Sequence, residues 1–231
     1  MLMEFRALPE RLAQVRAEIA RRQAAGGRTE PVTIIAVTKG FGPEAVEAAL
    51  AAGLVELGEN RVQEAVAKID TPLGARATWH LIGHLQRNKA KFVPGRFALV
   101  HSLDGAELAR ELDRRAGERN LVLRVLVQVN EAGEPQKSGC APDQVAGLAR
   151  VVRSLPHLAL EGLMTIAPMT DDEALQRRTF RALRGQRDVL QEEGVWLPAL
   201  SMGMSGDYGV AVEEGATLLR LGTALFGPRP T

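Results

Sequence analysis

The sequence contains one cysteine, Cys140, among 231 residues. An intramolecular disulfide and a cysteine metal cluster are therefore excluded, and Cys140 reads as a tolerated small side chain in a loop after Gly139. No apolar run approaches the roughly 20 residues of a membrane span. The first residues carry Glu4 and Arg6 where a signal peptide would need an apolar core, so the expectation is a cytoplasmic protein with no membrane partner. An excess of one charge is also missing: 29 Lys and Arg face 28 Asp and Glu, for a net charge of +1. The signs alternate locally, as in Arg110-Glu111-Leu112-Asp113-Arg114-Arg115, which describes solvated helix faces and no electrostatic footprint for nucleic acid. Lysine is scarce, at positions 39, 68, 89, 91 and 137 only. A lysine at a special place therefore carries more information than usual.

What is present is a regular alternation. Phe5, Leu8, Leu12, Val15 and Ile19 recur at helical spacing from about Glu4 to Ala25, and Gly26-Gly27 ends that helix. Eight short apolar runs follow, expected as strands: Val32 to Val37, Val55 to Leu57, Thr78 to Ile82, Ala98 to His101, Leu121 to Val129, Leu158 to Met164, Ala199 to Met202 and Thr217 to Leu221. Helices are expected to begin near Pro43, Arg61, Gln86, Gly105, Pro142, Asp171 and Gly206, with Pro43 in a first turn and Asp104 as a cap. Eight βα units rich in Val, Leu and Ile point to a single (β/α)8 barrel of the TIM type, preceded by an extra N-terminal helix. A doubly wound open sheet is the rival fold. Its glycine-rich fingerprint is absent after the first strand, which runs into Thr38-Lys39-Gly40-Phe41-Gly42-Pro43. No linker divides residues 1–231, and Ala132-Gly133-Glu134-Pro135 is short enough for a βα loop. One domain is expected.

Functional groups of such barrels sit on the loops that follow the strands. Lys39 is placed there. Partial burial at a barrel mouth disfavours a charged amine and frees its lone pair for an aldehyde, although a lone strand-end lysine is more often a surface charge. The far end of the sequence offers a partner for it. Ser201-Met202-Gly203-Met204-Ser205-Gly206-Asp207 leaves the seventh strand and Arg220-Leu221-Gly222-Thr223 leaves the eighth, the two loops with which barrels frequently bind phosphate. Each loop alone reads equally as a tight turn. Strands one and eight are neighbours in a closed barrel, so a phosphate on these loops lies within one cofactor length of Lys39. Alternation along Leu218 to Gly222 turns Arg220 toward the mouth. There it either pairs with a carboxylate or faces the cofactor ring.

These stretches, with Ala36-Val37-Thr38-Lys39, Gly58 to Glu64, Trp79 to Lys89, Gly162-Leu163-Met164 and Arg220 through Gly227, give a sequence that resembles the pyridoxal-phosphate homeostasis proteins. Those are relatives of the N-terminal barrel of alanine racemase. The resemblance implies pyridoxal 5′-phosphate held as a Schiff base on Lys39. It also implies phosphate contacts from Ser205, Gly222 and Thr223 with Met204 beside them, Arg220 next to the pyridine nitrogen, and Asn60 lining the mouth. An arginine stays protonated and leaves that nitrogen unprotonated, which makes the ring a weaker electron sink. The sequence departs from its relatives at Gly206, so no side-chain help comes from that position.

Asn60 either touches cofactor or caps the helix starting at Arg61. His80 and His84 have the i, i+4 spacing of a helical metal pair, but they fall on a strand interrupted by Gly83, and no metal is expected. Gln86, Asn88 and Lys89 read as a polar helix start. Lys137, on the loop after strand five, is either a solvated lysine or a second amine that accepts the aldehyde transiently. The leading expectation is a monomeric carrier, which binds and buffers the cofactor and supplies it to pyridoxal-phosphate-dependent apoenzymes without robust catalysis. A reduced amino-acid racemase is the alternative. It would need a second acid/base group, and the single tyrosine, Tyr208, at a helix start in a sequence that stops at Thr231, is poorly placed to supply one. A barrel serving only as an interaction scaffold is a third reading, with little in the sequence to support it.

Overall fold

In the computed structural model, which describes residues 5–134 and 137–228, eight parallel strands pair in chain order and close on themselves. They are β1 (Thr33–Val37), β2 (Glu56–Glu59), β3 (Thr78–Leu81), β4 (Leu99–Leu103), β5 (Leu123–Gln128), β6 (Leu158–Met164), β7 (Ala199–Ser201) and β8 (Leu218–Leu221). Closure comes from β8 lying beside β1, with Arg220 opposite Ile35. The expected count and order hold, and the ends move by one or two residues. Leu121 and Val122 are exposed ahead of β5, because an apolar run does not mark where strand pairing begins.

Helix α1 (Leu8–Gly26) precedes the barrel, and α2 (Pro43–Ala51), α3 (Val62–Ile69), α4 (Ala106–Gly117), α5 (Val145–Arg153), α6 (Glu173–Glu192), α7 (Tyr208–Glu213) and α8 (Thr223–Phe226) follow strands. On α1, Leu8, Leu12, Val15 and Ile19 form the buried face, which packs on α7 and α8. Phe5 closes this seam against Phe41 and Phe226, with ring centroids 5.6 and 5.7 Å away. One expected helix and one expected cap are corrected. After β3 the chain makes a 3-10 segment, Arg87–Phe92, because Pro94 and Gly95, the latter at φ +80°, leave no length for α-helical turns. The residue before α4 is Gly105, without a side-chain cap, and Asp104 instead lies 3.2 Å from His84 Nδ1.

The main core lies between the outer strand faces and the helices. A small apolar cluster, Leu99, Leu126 and Met164 with Ile166, Ala199 and Leu218 against it, belongs to the opposite strand faces. His80, His101, Ser201 and Arg220 share that interior and are buried. His101 on β4 reaches Ser201 on β7 at 2.8 Å, a contact available only across the inside of the barrel. Aliphatic side chains usually fill such interiors. Here much of the space is polar.

Cys140 is buried rather than loose in a loop, bridging to Val129, and burial pushes its thiol up to about 11. No described helix is long and apolar enough to cross a membrane.

Candidate cofactor site

A cavity of about 590 Å³ opens at the C-terminal end of the barrel, lined by loops after β1, β2, β3, β5, β6, β7 and β8. That is within the range of roughly 300–1,000 Å³ for small-molecule sites. Lys39, Asn60, Met204, Ser205, Arg220, Gly222, Thr223 and Lys137 all line it. The residues singled out from the sequence are therefore brought to one place. Tyr208 is not among the lining residues, nor are Gln86, Asn88 and Lys89.

Ser205 and the loop after β8 build one end of the cavity. The amides of Gly222 and Ala224 donate to Ser205 Oγ at 3.3 and 3.0 Å. Two N–H groups converging on a small hydroxyl are the donor set that a phosphate oxygen requires. The loop is held by Asp207, whose Oδ1 accepts the Met204 amide at 2.5 Å. This bond ties Asp207 back and delays α7 until Tyr208, two residues later than expected from Gly206. Gly203 permits the sharp turn into the loop: its φ is +95°, and a Cβ would lie 2.7 Å from Ala211 Cβ. Only glycine meets both conditions at no cost.

Arg220 forms part of the floor. Its Nη1 donates to Ser201 Oγ at 2.5 Å and its Nη2 to the Thr165 carbonyl at 2.8 Å. No carboxylate among the described residues pairs with it directly. Burial pulls the guanidinium down to about 10, with Asp207 opposing the shift, so it stays cationic at neutral pH. The cavity thus offers a fixed N–H donor at one side and phosphate-type donors at another, with a lysine amine between strands one and two. These residues fit pyridoxal 5′-phosphate, which presents an acceptor nitrogen, a phosphate and an aldehyde.

The placement of Lys39 depends on residues that the sequence reading passed over. Lys68 on α3 is buried and donates to Glu59 Oε1 at 2.6 Å and to the Thr38 carbonyl at 2.8 Å. Thr38 Oγ1 donates to the same carboxylate oxygen at 2.6 Å. The peptide immediately before Lys39 is consequently fixed by a buried ion pair. Lys68 sits near the end of a helix with Glu64 four residues earlier, a surface-lysine pattern, and only tertiary folding brings it to Glu59. Asn60 does not cap α3, which starts after Arg61 with no side-chain cap; it lines the cavity, and a Cβ at Gly83 would lie 2.4 Å from the Asn60 carbonyl, so these two loops touch backbone to backbone.

Lys137 is positioned by its neighbours. Its Nζ donates to Glu134 Oε1 at 2.5 Å and to the Ala167 carbonyl at 3.0 Å. Pro135 and Gln136 of this loop lie outside the described residues. At its base, Glu131 accepts from Gln186 Nε2 at 2.7 Å, and burial pushes the Glu131 carboxyl up to about 7. Gln186 Oε1 is buried with no hydrogen-bond donor to it among the described residues. Burial away from water disfavours the ionised carboxylate, and the hydrogen bond from Gln186 opposes that shift without cancelling it. His84 contacts Asp104, His80 contacts Glu56 at 2.7 Å, and no metal-binding group of three or more ligands occurs among the described residues.

Residues 11–230 match the family described as Alanine racemase, N-terminal domain. The chain is 43% identical over 222 residues to a pyridoxal phosphate homeostasis protein of Aquifex aeolicus (strain VF5), covering 95% of this chain and 97% of that one. Among solved structures it resembles PipY of Synechococcus elongatus PCC7942 with PLP bound, at a TM-score of 0.82 and 37% identity, over 95% of this chain and 100% of that chain. An alanine racemase of Clostridium difficile 630 matches with a TM-score of 0.75 at 15% identity, over 93% of this chain and 58% of that one, a likeness of fold alone.

Two outcomes follow from the geometry. Lys68→Met leaves Glu59 buried and unpaired and should cost about 3–5 kcal/mol of stability; adding Glu59→Gln should restore part of it, as measured by urea unfolding. An unchanged midpoint in Lys68→Met would show that the ion pair does not support the strand ends. For Glu131 the sign is set by its raised pKa: the unfolded carboxyl ionises near 4.5 and the folded one near 7, so its stabilising effect is full below about 4.5 and lost as pH rises to about 7. Glu131→Gln should therefore raise the melting temperature at pH 8 and leave it nearly unchanged at pH 4.5. A gain of equal size at both values would contradict the assignment.

Proposed function

The chain belongs to the alanine racemase N-terminal domain family and, within it, to the pyridoxal phosphate homeostasis proteins, and from that membership we propose that it binds pyridoxal 5′-phosphate and serves its intracellular homeostasis. The observation that carries the proposal is one cavity bringing together an amine at Lys39, Ser205 and Gly222 at the end where backbone amides converge, and a buried cation at Arg220. Bound there, the cofactor supplies an electrophilic aldehyde and an electron-withdrawing ring.

The residues divide the work. Lys39 is the amine that takes the aldehyde as a Schiff base. Ser205, the Gly222 amide and Thr223 hold the phosphate, with Met204 in the loop that shapes this end. Asn60 closes the side above β2. Arg220 donates toward the pyridine nitrogen and, being cationic, keeps that nitrogen without a proton. Together they retain the aldehyde and keep it from other amines.

The relatives' name is that of a homeostasis protein and not of an enzyme, and the reading follows it: buffering and supply without robust catalysis. The finer parts of the proposal are a cytoplasmic monomer and delivery to pyridoxal-phosphate-dependent apoenzymes. Lys137 enters as a second amine lining the same cavity, able to accept the aldehyde on its way out.

Purified protein loaded with the cofactor should absorb in the visible, and Lys39→Ala should lose that band; borohydride reduction followed by peptide mass spectrometry should locate the label on Lys39. A band unchanged by Lys39→Ala would place the aldehyde elsewhere. Lys137→Ala should keep the band and slow transfer of cofactor to an acceptor apoenzyme. Transfer at the wild-type rate would remove Lys137 from the pathway.

A further inference from the structure

The polar interior of the barrel forms an ordered series of contacts that begins at Arg220 and ends at the opposite end of the sheet. Arg220 Nη1 meets Ser201 Oγ at 2.5 Å, Ser201 Oγ meets His101 Nδ1 at 2.8 Å, His101 Nε2 meets His80 Nδ1 at 2.9 Å, and His80 Nε2 meets Glu56 Oε2 at 2.7 Å. Ser201, His80 and His101 are buried, while the Glu56 side chain, at the start of β2, is 31% exposed. The series therefore crosses from the cavity floor to the solvent at the far end of the barrel.

Donor and acceptor roles are determined by its two ends. Arginine only donates, and an ionised carboxylate only accepts. Ser201 Oγ thus accepts from Arg220 and gives its own proton to His101 Nδ1. His101 then carries its hydrogen on Nε2 and donates it to His80 Nδ1, and His80 donates from Nε2 to Glu56. With Glu56 ionised, this is the one arrangement that leaves both imidazoles neutral and every contact matched. A neutral His101 agrees with its surroundings, since burial first, and then His80 and Arg220, hold it well below the ordinary histidine range. The other charged groups facing the series are Asp207 beside Arg220, and Arg124 of β5, which is near Glu56 and is itself paired with Glu161 of β6 at 2.5 Å.

We propose that His101, His80 and Glu56 are positioning residues for Arg220, forming a one-way hydrogen-bond relay that holds the guanidinium against the cofactor's ring. The proposal rests on the reading that Arg220 faces the pyridine nitrogen. A hydroxyl that passes its own proton onward is a better acceptor, because hydrogen bonds in series polarise one another. Ser201 anchored in this way fixes Nη1, the Thr165 carbonyl fixes Nη2, and the remaining N–H groups are presented to the cavity. Reversal of the relay would turn a His101 donor onto Ser201 and weaken its hold. Glu56 prevents reversal by demanding a donor from His80.

The test titrates pyridoxal 5′-phosphate into the stripped protein and reads both the dissociation constant and the visible absorption maximum in wild type, Glu56→Gln, His101→Phe, the double variant and Arg220→Lys. Both single variants should keep a Lys39-dependent band. Binding should weaken by about tenfold in His101→Phe and about threefold in Glu56→Gln, and both maxima should move in the direction seen for Arg220→Lys. Once His101 is gone, Glu56→Gln should weaken binding no further. The relay is overturned if Glu56→Gln changes neither quantity, or if the two losses multiply in the double variant, as independent packing defects would. Should the buried variant fail to fold, Glu56→Gln at the accessible end decides alone: a shifted maximum supports the relay and an unshifted one overturns it. A wild-type band that does not depend on Lys39 is a different result, which overturns the reading of the cavity and the relay with it.

Discussion

Burial of the Arg220 guanidinium is the constraint around which the interior is organised. A cation removed from water is costly unless its donors are matched, and Arg220 is matched by a hydroxyl and a carbonyl, with no paired carboxylate among the described residues. Its charge is therefore only partly answered by the protein, with Asp207 the nearby anion. The remaining demand is for acceptors on the cavity side. The same cation helps to keep His101 neutral, so the barrel interior holds one charge near the mouth, two imidazoles behind it and a carboxylate at the far end. An aliphatic filling of this space would have made a more ordinary core and left Arg220 without its anchor.

The other parts of the site are held by backbone rather than by side chains. Gly222 and Ala224 contribute amides, and Ser205 Oγ occupies the point on which they converge. Such donors cannot wander among rotamers, so the loops after β7 and β8 present them already oriented. Lys39 is treated in the opposite way: its long side chain is adjustable, but the preceding peptide is clamped through Thr38, Glu59 and Lys68. A rigid base under a long side chain would suit the proposed role of Lys39, holding an aldehyde and later giving it up.

Much of this was legible in the sequence because it was periodic or terminal. Eight apolar runs gave the strand count, and the alternation along Leu218 to Gly222 turned Arg220 inward. Lys39, Ser205 and Gly222 were found because they stand just after strands, where barrels place their chemistry. The interior partners were not found. His80 has no partner legible in the sequence until barrel closure puts His101, 21 residues away, 2.9 Å from it, and Ser201 meets His101 across 100 residues of sequence. Lys68 looks like any helix-surface lysine. The 3-10 segment at Arg87–Phe92 was missed because polar, helix-compatible residues precede the proline that shortens it. Local pattern therefore located the residues facing the cavity, while the residues that hold them depend on closure of the barrel.

In the proposed placement an arginine and not a carboxylate faces the ring nitrogen, and that choice would decide what the site does well. A carboxylate partner accepts a proton-bearing nitrogen and thereby strengthens the ring as an electron sink; a cationic donor holds the nitrogen bare and weakens it. Burial lowers the Arg220 proton affinity only to about 10, far from the point at which it would yield its proton at neutral pH. With Lys39 and Arg220 in the proposed roles, the barrel would retain an aldehyde-bearing ligand while stabilising poorly the carbanions that give such a ligand its catalytic use. Retention and weak electron withdrawal are of little value to an enzyme that must turn over amino acids. They are what a carrier needs.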